Sequence, residues 1–449
     1  MLILRDGLVV NGDGRTPPTT ASVIVDGSTI AAVEPVLYKG GVHDTVIDLR
    51  GKLVMPGGID VHAHAVAPGP RFASATPAIP TAEVMANLRR HLIQGHTTVV
   101  DLDGFKLPAE TASANSAQPV RVEASTVHFD PMWDAADACD GAGLTPEHRN
   151  MTSATMAEHG AVAIGEVGAG MTLGGGGQDY MYIPAAIERA TGTRLLPRQA
   201  TSLKYAVLGR HVRAEDADPE AIADLLAQYG IAEQFTVADL IALIKNSVLP
   251  SFQLAIDGIA ESAKQATQLG IPSLVHNSAP SDEACRAAAD VAGPLLIAGH
   301  TNHPTFTLEE SIASARWARE HGAHIEVSTL DSWGRRELVP ASRQLMALAS
   351  ERLIDIIATD YAAGHWDGVF EPVEDIVRQG LASLEQAVAM TSGNVGKAMP
   401  RIGADRGLIR SGYLADLVVA DAAHPADIDM VLIDGAVQLD NSGLLAATR

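Results

Sequence analysis

The chain has 449 residues, of which 47% are hydrophobic and 19% are charged, so it can bury a large core and is not a disordered, fibrous or disulfide-scaffold protein. Its 32 Lys and Arg residues against 54 Asp and Glu residues give a net charge of −22, which argues against nucleic acid or an anionic membrane as a partner. Two cysteines, Cys139 and Cys285, are too few for a disulfide framework or a thiolate zinc site, so any metal must be bound by His and carboxylate groups.

The two ends of the chain have a similar β texture. Near the start, short strands separated by Gly and Asp turns are predicted at residues 2–5, 22–25, 29–33 and 45–49. The segment after residue 400 is again rich in turns and short apolar runs. We predict that residues 1–52 and 401–449 together build one small β domain. The start of the chain has neither the basic and apolar segments of a signal peptide nor an apolar run of membrane length, which predicts a soluble cytoplasmic protein.

Residues 53–400 have a different pattern, in which apolar runs of strand length alternate with helical stretches. One such helix, at residues 307–321, begins with a capping box of Thr307 and Glu310. Near-continuous hydrophobicity is typical of strands that are covered on both faces of a parallel sheet. Eight strands are predicted, the number that closes a TIM (β/α)8 barrel, at residues 53–61, 97–102, 120–127, 161–167, 273–276, 295–299, 323–327 and 354–359.

The connection between the fourth and fifth of these strands is far longer than an ordinary βα loop. Residues 168–251 are therefore predicted to be an insertion, with a run of four glycines from Gly174 to Gly177 and helices near residues 219–228 and 237–245. Its position at the carboxyl end of a barrel strand favours a lid or a substrate wall. The alternative is a surface elaboration that contributes to contacts between subunits.

Six potential metal ligands lie at or just after the ends of predicted barrel strands: His62, His64, Glu166, His276, His300 and Asp360. In extended backbone, alternate residues point the same way, so His62 and His64 are expected to project together into the barrel mouth. Barrel active sites are built at the carboxyl ends of the strands, so all six groups should converge although they are distant in sequence. Four His and two carboxylates suit zinc, iron or manganese rather than calcium.

Six ligand groups are more than one tetrahedral ion with an open position needs, which predicts two divalent metal ions, most simply zinc. In this interpretation His62 and His64 hold the first ion, His276 and His300 hold the second, and Glu166 bridges them. Asp360 reaches the first ion and the hydroxide expected between the two ions. It acts as general base on that water and as general acid toward the leaving nitrogen.

The segment 46–64, which ends in Asp60-Val61-His62-Ala63-His64, resembles the amidohydrolase superfamily of metal-dependent barrel hydrolases. The far end, with Thr391-Ser392-Gly393-Asn394 and the segment 407–419, is similar to the return of that family from the barrel into a β-sandwich. The resemblance covers nearly the whole chain. It implies a distorted (β/α)8 barrel with a composite β-sandwich, a binuclear metal site, hydrolysis of amides or deamination of heterocycles, and a homo-oligomer, either a dimer or a tetramer.

One departure from the family pattern concerns the residue that bridges the metals. Many members, including dihydroorotase and the hydantoinases, use a carboxylated lysine on the fourth strand, whereas this sequence has Glu166 there. Enamidase and adenine deaminase resemble it in having a glutamate at that position. Lys204 is the rival bridge, but it lies in the insertion and outside the strand register. If Lys204 does not bridge, it is either an exposed lid residue or a cation for a substrate carboxylate.

Further residues that follow barrel strands are predicted to line the substrate pocket: His128, Asn277, Asn302, His303, Tyr361 and His365. Ordinary loop packing is the alternative for each of them. Glu326, near the end of the seventh strand, is predicted to orient a metal-bound histidine.

These features predict a metal-dependent amidohydrolase that cleaves a C–N bond of a small cyclic amide or related heterocycle. The first alternative is an aminohydrolase that releases ammonia from a purine-like ring, since the same residues would serve it. The second is a non-enzymatic assembly or signalling protein, which the six filled ligand positions disfavour.

Overall fold

The structure is a computed structural model that describes residues 1–35, 41–330, 344–361 and 367–446. These residues form two eight-stranded sheets. The helices that surround them are α1 Thr81–Ile93, α2 Pro108–Ala117, α3 Asp130–Cys139, α4 Pro146–Arg149, α5 Ser153–Glu158, α6 Ile183–Thr191, α7 Pro197–Leu208, α8 Pro219–Gln228, α9 Val237–Leu269, α10 Asp282–Ala292, α11 Leu308–Glu320, α12 Gln344–Ser350, α13 Phe370–Arg378, α14 Leu384–Ala389, α15 Gly393–Ala398 and α16 Pro400–Gly403.

One sheet is the predicted barrel. Its strands follow chain order and neighbouring strands pair in parallel: β6 Gly58–Ala63, β7 His96–Asp101, β8 Arg121–Thr126, β9 Ala163–Val167, β10 Ser273–His276, β11 Leu296–Gly299, β12 His324–Ser328 and β13 Ile356–Ala358. A parallel bridge between Ala63 and Tyr361 brings the end of the last strand back to the first. The (β/α)8 barrel predicted from the sequence is therefore confirmed.

The second sheet is mixed and contains strands from both ends of the chain. Its strands are β1 Leu2–Val9, β2 Thr19–Asp26, β3 Thr29–Pro35, β4 Thr45–Asp48, β5 Lys52–Pro56, β14 Leu417–Asp421, β15 Ile428–Ile433 and β16 Ala436–Asp440. Antiparallel pairing of β5 with β14 joins the amino-terminal strands to the carboxyl-terminal ones. Their apolar side chains form a separate buried cluster. The prediction that both chain ends build one β unit agrees with this sheet.

The apolar run predicted as the first barrel strand, residues 53–61, is divided between the two sheets. Its first half is β5 in the mixed sheet, and its second half is β6 in the barrel. The chain crosses between them at Gly57, where a Cβ atom would overlap the side chain of Thr97. The predicted domain boundary at residue 52 therefore falls at the start of β5, and the division into domains stays a prediction.

The insertion between β9 and β10 has a small core of its own, which buries residues such as Ile187, Leu203 and Ile222. It begins with a π-helical turn, Gln178–Tyr182, followed by α6, α7 and α8. Helix α9 runs without a break for 33 residues, contains Pro250 and extends past residue 251, the predicted end of the insertion, whose bounds stay a prediction. Through this helix the insertion is continuous with the barrel wall, where α9 packs against α3 and α10.

In the part of the chain that the structure describes, α9 is also the one helix that is long and apolar enough to cross a membrane. This statement rests on its length and composition alone. About 28% of its most apolar window is buried within the protein. A cytoplasmic location stays a prediction.

Candidate metal centre

All six predicted ligand groups meet at one end of the barrel, because each lies at the carboxyl end of its strand or just beyond it. His62 lies within β6, Glu166 within β9, and His276 is the last residue of β10. His64, His300 and Asp360 follow β6, β11 and β13. His300 and Asp360 have positive φ angles of 31° and 49°, a backbone conformation that non-glycine residues rarely adopt. Such strained residues concentrate at functional sites.

Glu166 occupies the middle of the group and its two carboxylate oxygens face all four histidines. Oε1 lies 2.8 Å from Nδ1 of His276 and 3.1 Å from Nε2 of His300. The same atom lies 3.7 Å from Nε2 of His62, and Oε2 lies 3.6 Å from Nε2 of His64. Glu166 thus lies between the pair His62 and His64 and the pair His276 and His300.

Asp360 lies beside the first histidine pair. Its Oδ1 is 3.4 Å from Nε2 of His62 and 3.5 Å from Nε2 of His64. Potential ligand atoms of His62, His64 and Asp360 lie within 4.8 Å of one another, and so do those of His62, Glu166 and His300. Two overlapping groups of the right size for an ion are therefore present.

Buried carboxylates lie beside the Nδ1 atoms of His62 and His64. Nδ1 of His62 lies 3.3 Å from Oε2 of Glu326, and Nδ1 of His64 lies 3.0 Å from Oδ1 of Asp103. A carboxylate at Nδ1 fixes the ring proton there and leaves the lone pair of Nε2 facing Glu166 and Asp360. Glu326 has the orienting position predicted from the sequence. It also accepts a 2.6 Å hydrogen bond from the backbone N–H of His300.

Asp103 was not predicted from the sequence, and neither was its ion pair with Lys106. Nζ of Lys106 lies 3.0 Å from Oδ2 of Asp103, and both side chains are fully buried. Lys106 also donates to the carbonyl oxygens of Gly69 and Pro70. Burial raises the pKa of Asp103, but Lys106 and His64 outweigh it and hold that pKa well below its usual value. The acidic pair Asp101 and Asp103, at the end of β7, is the signal that could have indicated this residue.

The donor set fits divalent cations. Nε2 of His62 and Nε2 of His276 are buried, and neither has a hydrogen-bond partner among the described residues. Leaving such nitrogens unpaired is costly unless another group binds them. Burial lowers the pKa of His64, yet Asp103, Asp360 and Glu166 raise it to about 10. The carboxylates thus favour a positive charge at this position, which a bound cation would supply, and the mixture of imidazole and carboxylate suits zinc, iron or manganese.

Lys204, the rival bridge, lies apart from this group. Its side chain is buried, not exposed, and Nζ donates to the carbonyl oxygen of Gly174 and, at 2.8 Å, to Oδ2 of Asp179. Burial lowers the pKa of Lys204, although Asp179 opposes this effect. Glu166 contacts the four histidines and Lys204 contacts the insertion, so the geometry favours Glu166 as the bridging group.

Several predicted pocket residues form hydrogen bonds with neighbouring parts of the fold. Asn277 donates to the hydroxyls of Thr301 and Ser314. Asn302 pairs with the backbone of Ser328 through two hydrogen bonds of 2.9 Å. The hydroxyl of Tyr361 donates to Asn87 on α1. Substrate contact by these residues stays a prediction.

The remaining pocket candidates are three histidines. His128 is buried against Phe105 and Trp133, with Nδ1 2.9 Å from the hydroxyl of Thr126. His303 lies beside the metal-ligand candidates, with ring centroids 5.1 Å from His276 and 5.2 Å from His300. His365 lies outside the described residues.

A second buried cluster, Asp60, His91 and His96, also has ligand-like spacing. Here the backbone N–H of Val369 donates to Nε2 of His96 at 3.2 Å, so the ring proton of His96 lies on Nδ1. That nitrogen lies 2.7 Å from Nδ1 of His91. Burial lowers the pKa of His96 to about 3. The contacts describe a hydrogen-bonded pair of neutral imidazoles.

Comparisons with known proteins agree with the barrel. No protein-family model matches the chain. Over 119 residues, which are 26% of this chain and 25% of the relative, the sequence is 36% identical to the allantoinase of Rubrobacter xylanophilus. The chain thus spans about a quarter of the length of that relative in the match.

Two solved structures match almost the full length. A β-aspartyl dipeptidase from Fervidobacterium islandicum has a TM-score of 0.57 at 13% identity and covers 98% of this chain and 96% of its own. A solved amidohydrolase has a TM-score of 0.55 at 17% identity and covers 98% of this chain and 99% of its own. At these identities the likeness shows the fold. The resemblance to the amidohydrolase superfamily is therefore confirmed for the fold. Closeness to enamidase and adenine deaminase stays a prediction.

Proposed function

We propose that this protein is a metal-dependent hydrolase that cleaves a C–N bond of a small cyclic amide or related heterocycle. The observation that carries the proposal is the carboxylate of Glu166 between four buried histidines, with Asp360 beside two of them. The matched segment of an enzyme named for allantoin, a small nitrogen heterocycle, supports the substrate class. The barrel shared with a solved amidohydrolase and a dipeptidase supports hydrolysis at a C–N bond.

In this proposal the six side chains would hold two divalent ions, most simply zinc. His62, His64 and Asp360 would hold the first, His276 and His300 would hold the second, and Glu166 would contribute to both. When bound, such ions lower the pKa of a water from 15.7 to about 7 and polarise a carbonyl group. The remaining chemistry belongs to the side chains of this protein.

Asp360 is the carboxylate best suited to move protons. Its side chain is 16% exposed, whereas that of Glu166 is 3% exposed, so Asp360 is the one that water and substrate can reach. Burial raises the pKa of Asp360, but His62 and His64 outweigh it and lower the pKa below its usual value. Ionised Asp360 accepts the proton of the attacking water and then returns it to the leaving nitrogen.

The proposal is tested by incubating zinc- or manganese-loaded protein with lactams, cyclic imides, N-acyl amino acids and aminated purines, followed by mass spectrometry and an ammonia assay. A product equal to the substrate plus one water, without ammonia, is the expected result. Replacement of an amino group by oxygen, with matching ammonia, would make the protein a deaminase. Well-folded protein that binds no metal would contradict both.

Assembly and location belong to the same proposal. We expect a homo-oligomer, either a dimer or a tetramer, in the cytoplasm, with a small molecule as its substrate and no nucleic acid or membrane partner. The net charge of −22 supports the absence of a polyanionic partner. Light scattering after gel filtration tests the oligomeric state, and a single species of monomer mass would contradict it.

A further inference from the structure

His303 has the spacing of a third histidine ligand. It follows β11 by a few residues, and its ring packs against the rings of His276 and His300. One ring nitrogen from each of these three residues lies within 4.8 Å of the other two. Distance alone would therefore assign His303 to the metal site.

The hydrogen bonds of Thr305 argue against this assignment. The backbone N–H of Thr305 donates to Nδ1 of His303 at 3.2 Å, so this nitrogen is an acceptor and has no proton. The hydroxyl of Thr305 lies 2.7 Å from the same Nδ1. That hydroxyl already accepts a hydrogen bond from the backbone N–H of Ala279 at 3.1 Å, which leaves its own hydrogen for His303.

A neutral imidazole has one N–H, so Nε2 of His303 bears it. Because Nδ1 accepts the backbone N–H of Thr305, the ring cannot carry a proton on both nitrogens and is neutral. A nitrogen that bears a proton has no lone pair to offer a metal. In the part of the chain that the structure describes, no residue accepts a hydrogen bond from Nε2 of His303. The side chain retains 8% exposure.

We propose that His303 is a substrate-binding residue and not a metal ligand, and that its Nε2–H donates a hydrogen bond to an oxygen atom of the substrate beside His276 and His300. This inference rests on the proposed function for the identity of the acceptor, a carbonyl oxygen of an amide, imide or ureide. The exclusion of His303 from the metal site does not depend on that function.

A residue of the insertion, Arg210, also helps to hold Thr305 in position. Arg210 donates to the carbonyl oxygen of Thr305 at 2.6 Å and forms a two-pronged ion pair with Glu310, the capping residue of α11. Thr305 is thereby held by hydrogen bonds to both His303 and Arg210. The orientation of the donor is built into the fold, which is what recognition of a specific oxygen atom requires.

The first test concerns metal binding. Full-length wild type, His303→Leu, His303→Gln and His276→Leu are loaded with Zn²⁺, dialysed and analysed for metal content, with circular dichroism to confirm folding. Both His303 variants are expected to retain the zinc content of the wild type, whereas His276→Leu loses zinc. Loss of about one ion per chain in a folded His303→Leu variant would overturn the proposal.

The second test determines which nitrogen of the His303 ring bears the proton. Nitrogen NMR of protein labelled at the histidine rings, assigned by comparison with His303→Gln, should show His303 with a protonated Nε2 and an unprotonated Nδ1. Addition of Zn²⁺ should leave that pattern in place. Loss of the Nε2 proton on addition of zinc would identify His303 as a ligand and contradict the proposal.

The third test uses any compound of the panel that the wild type hydrolyses. His303→Leu should lower kcat/KM by about 10- to 100-fold, the effect of removing one hydrogen bond to a buried polar group. His303→Gln, which retains an N–H donor, should recover most of this loss. Equal kcat/KM for His303→Leu and wild type would overturn the substrate contact. If the wild type hydrolyses none of the compounds, the proposed function fails, while zinc content and NMR still decide whether His303 is a ligand.

Discussion

Asp103 and His64 form a buried hydrogen-bonded pair in which Oδ1 of Asp103 lies 3.0 Å from Nδ1 of the imidazole. The opposite nitrogen of the ring faces Glu166 and Asp360. Asp103 therefore determines which nitrogen of His64 is available to a metal, although it does not itself reach the centre of the site.

Substitution Asp103→Asn should weaken binding of the first metal by about 10- to 100-fold, the usual effect of removing a carboxylate behind a histidine ligand. Competition with a chelator measures the affinity. The matched control is Asp137→Asn, which breaks a surface ion pair with Arg149 and should leave metal affinity unchanged. Equal affinities for Asp103→Asn and wild type would show that His64 needs no such support.

The general base can be separated from the metal ligands by Asp360→Asn. Four histidines and Glu166 remain, so the variant should keep much of its metal but lose turnover by about a hundred- to ten-thousand-fold. Metal analysis and steady-state kinetics on the same preparation test this. Wild-type turnover in a metal-replete variant would remove Asp360 from the proton transfer.

Glu166→Gln and Lys204→Ala distinguish the two potential bridging groups. Glu166 contacts all four histidines, so its amide variant should weaken binding of both metals by at least about tenfold. Lys204 contacts Asp179 and Gly174 instead, so Lys204→Ala should retain the metals. Isothermal titration of each apoprotein with Zn²⁺ gives the comparison, and the reverse pattern would assign the bridge to Lys204.

Lys106 should make a large contribution to stability. Replacing it with Met removes the lysine partner of the buried Asp103 carboxylate, and the loss of one partner of a buried ion pair costs about 3–5 kcal/mol. Lys264→Met is the control, because Lys264 pairs with Glu261 at the surface with 61% of its side chain exposed, and such pairs contribute about 1 kcal/mol or less. Urea unfolding of the metal-free proteins measures both, and similar free energies of unfolding would contradict the prediction.

The contact between Arg210 and Glu310 should weaken in acid. Arg210 lowers the pKa of Glu310 from 4.5 to about 2, so the ion pair contributes stability above pH 4.5 and loses it as the pH falls toward 2. Because both side chains are one-third exposed, we expect a contribution of about 1 kcal/mol. Arg210→Gln should be less stable than wild type at pH 6, and the difference should shrink at pH 3. A constant difference in thermal unfolding would exclude this linkage.

Much of the barrel could be predicted because its strands are buried on both faces and form distinct apolar runs, such as β9 and β11. Hydrophobicity does not identify the sheet to which a strand belongs, so β5 and β6 were predicted as one strand. The insertion was likewise predicted to end at residue 251, whereas α9 continues through Pro250 to Leu269, since tertiary packing outweighs the cost of a proline within a helix.

The meeting of the six candidate ligands could be predicted because chain position at a strand end determines where a side chain points. The supporting contacts could not, because Lys106 is buried by contacts with a distant loop, where the carbonyl oxygens of Gly69 and Pro70 accept hydrogen bonds from its Nζ. Lysine is rarely buried, so its sequence context gives no sign of its position. The proton on His303 likewise depends on backbone atoms of Thr305 that no sequence pattern specifies.

The pairing of β5 with β14 has a consequence for how the chain folds during its synthesis. Ribosomal synthesis delivers the amino-terminal strands first, yet β14 to β16 cannot join them until residues 417–440 have emerged. Until then β5 offers an unpaired edge, the kind of surface on which chains aggregate. Because contacts between such distant segments form slowly, we expect the newborn protein to depend on chaperones over this interval, and a chain that ends before residue 417 to be insoluble.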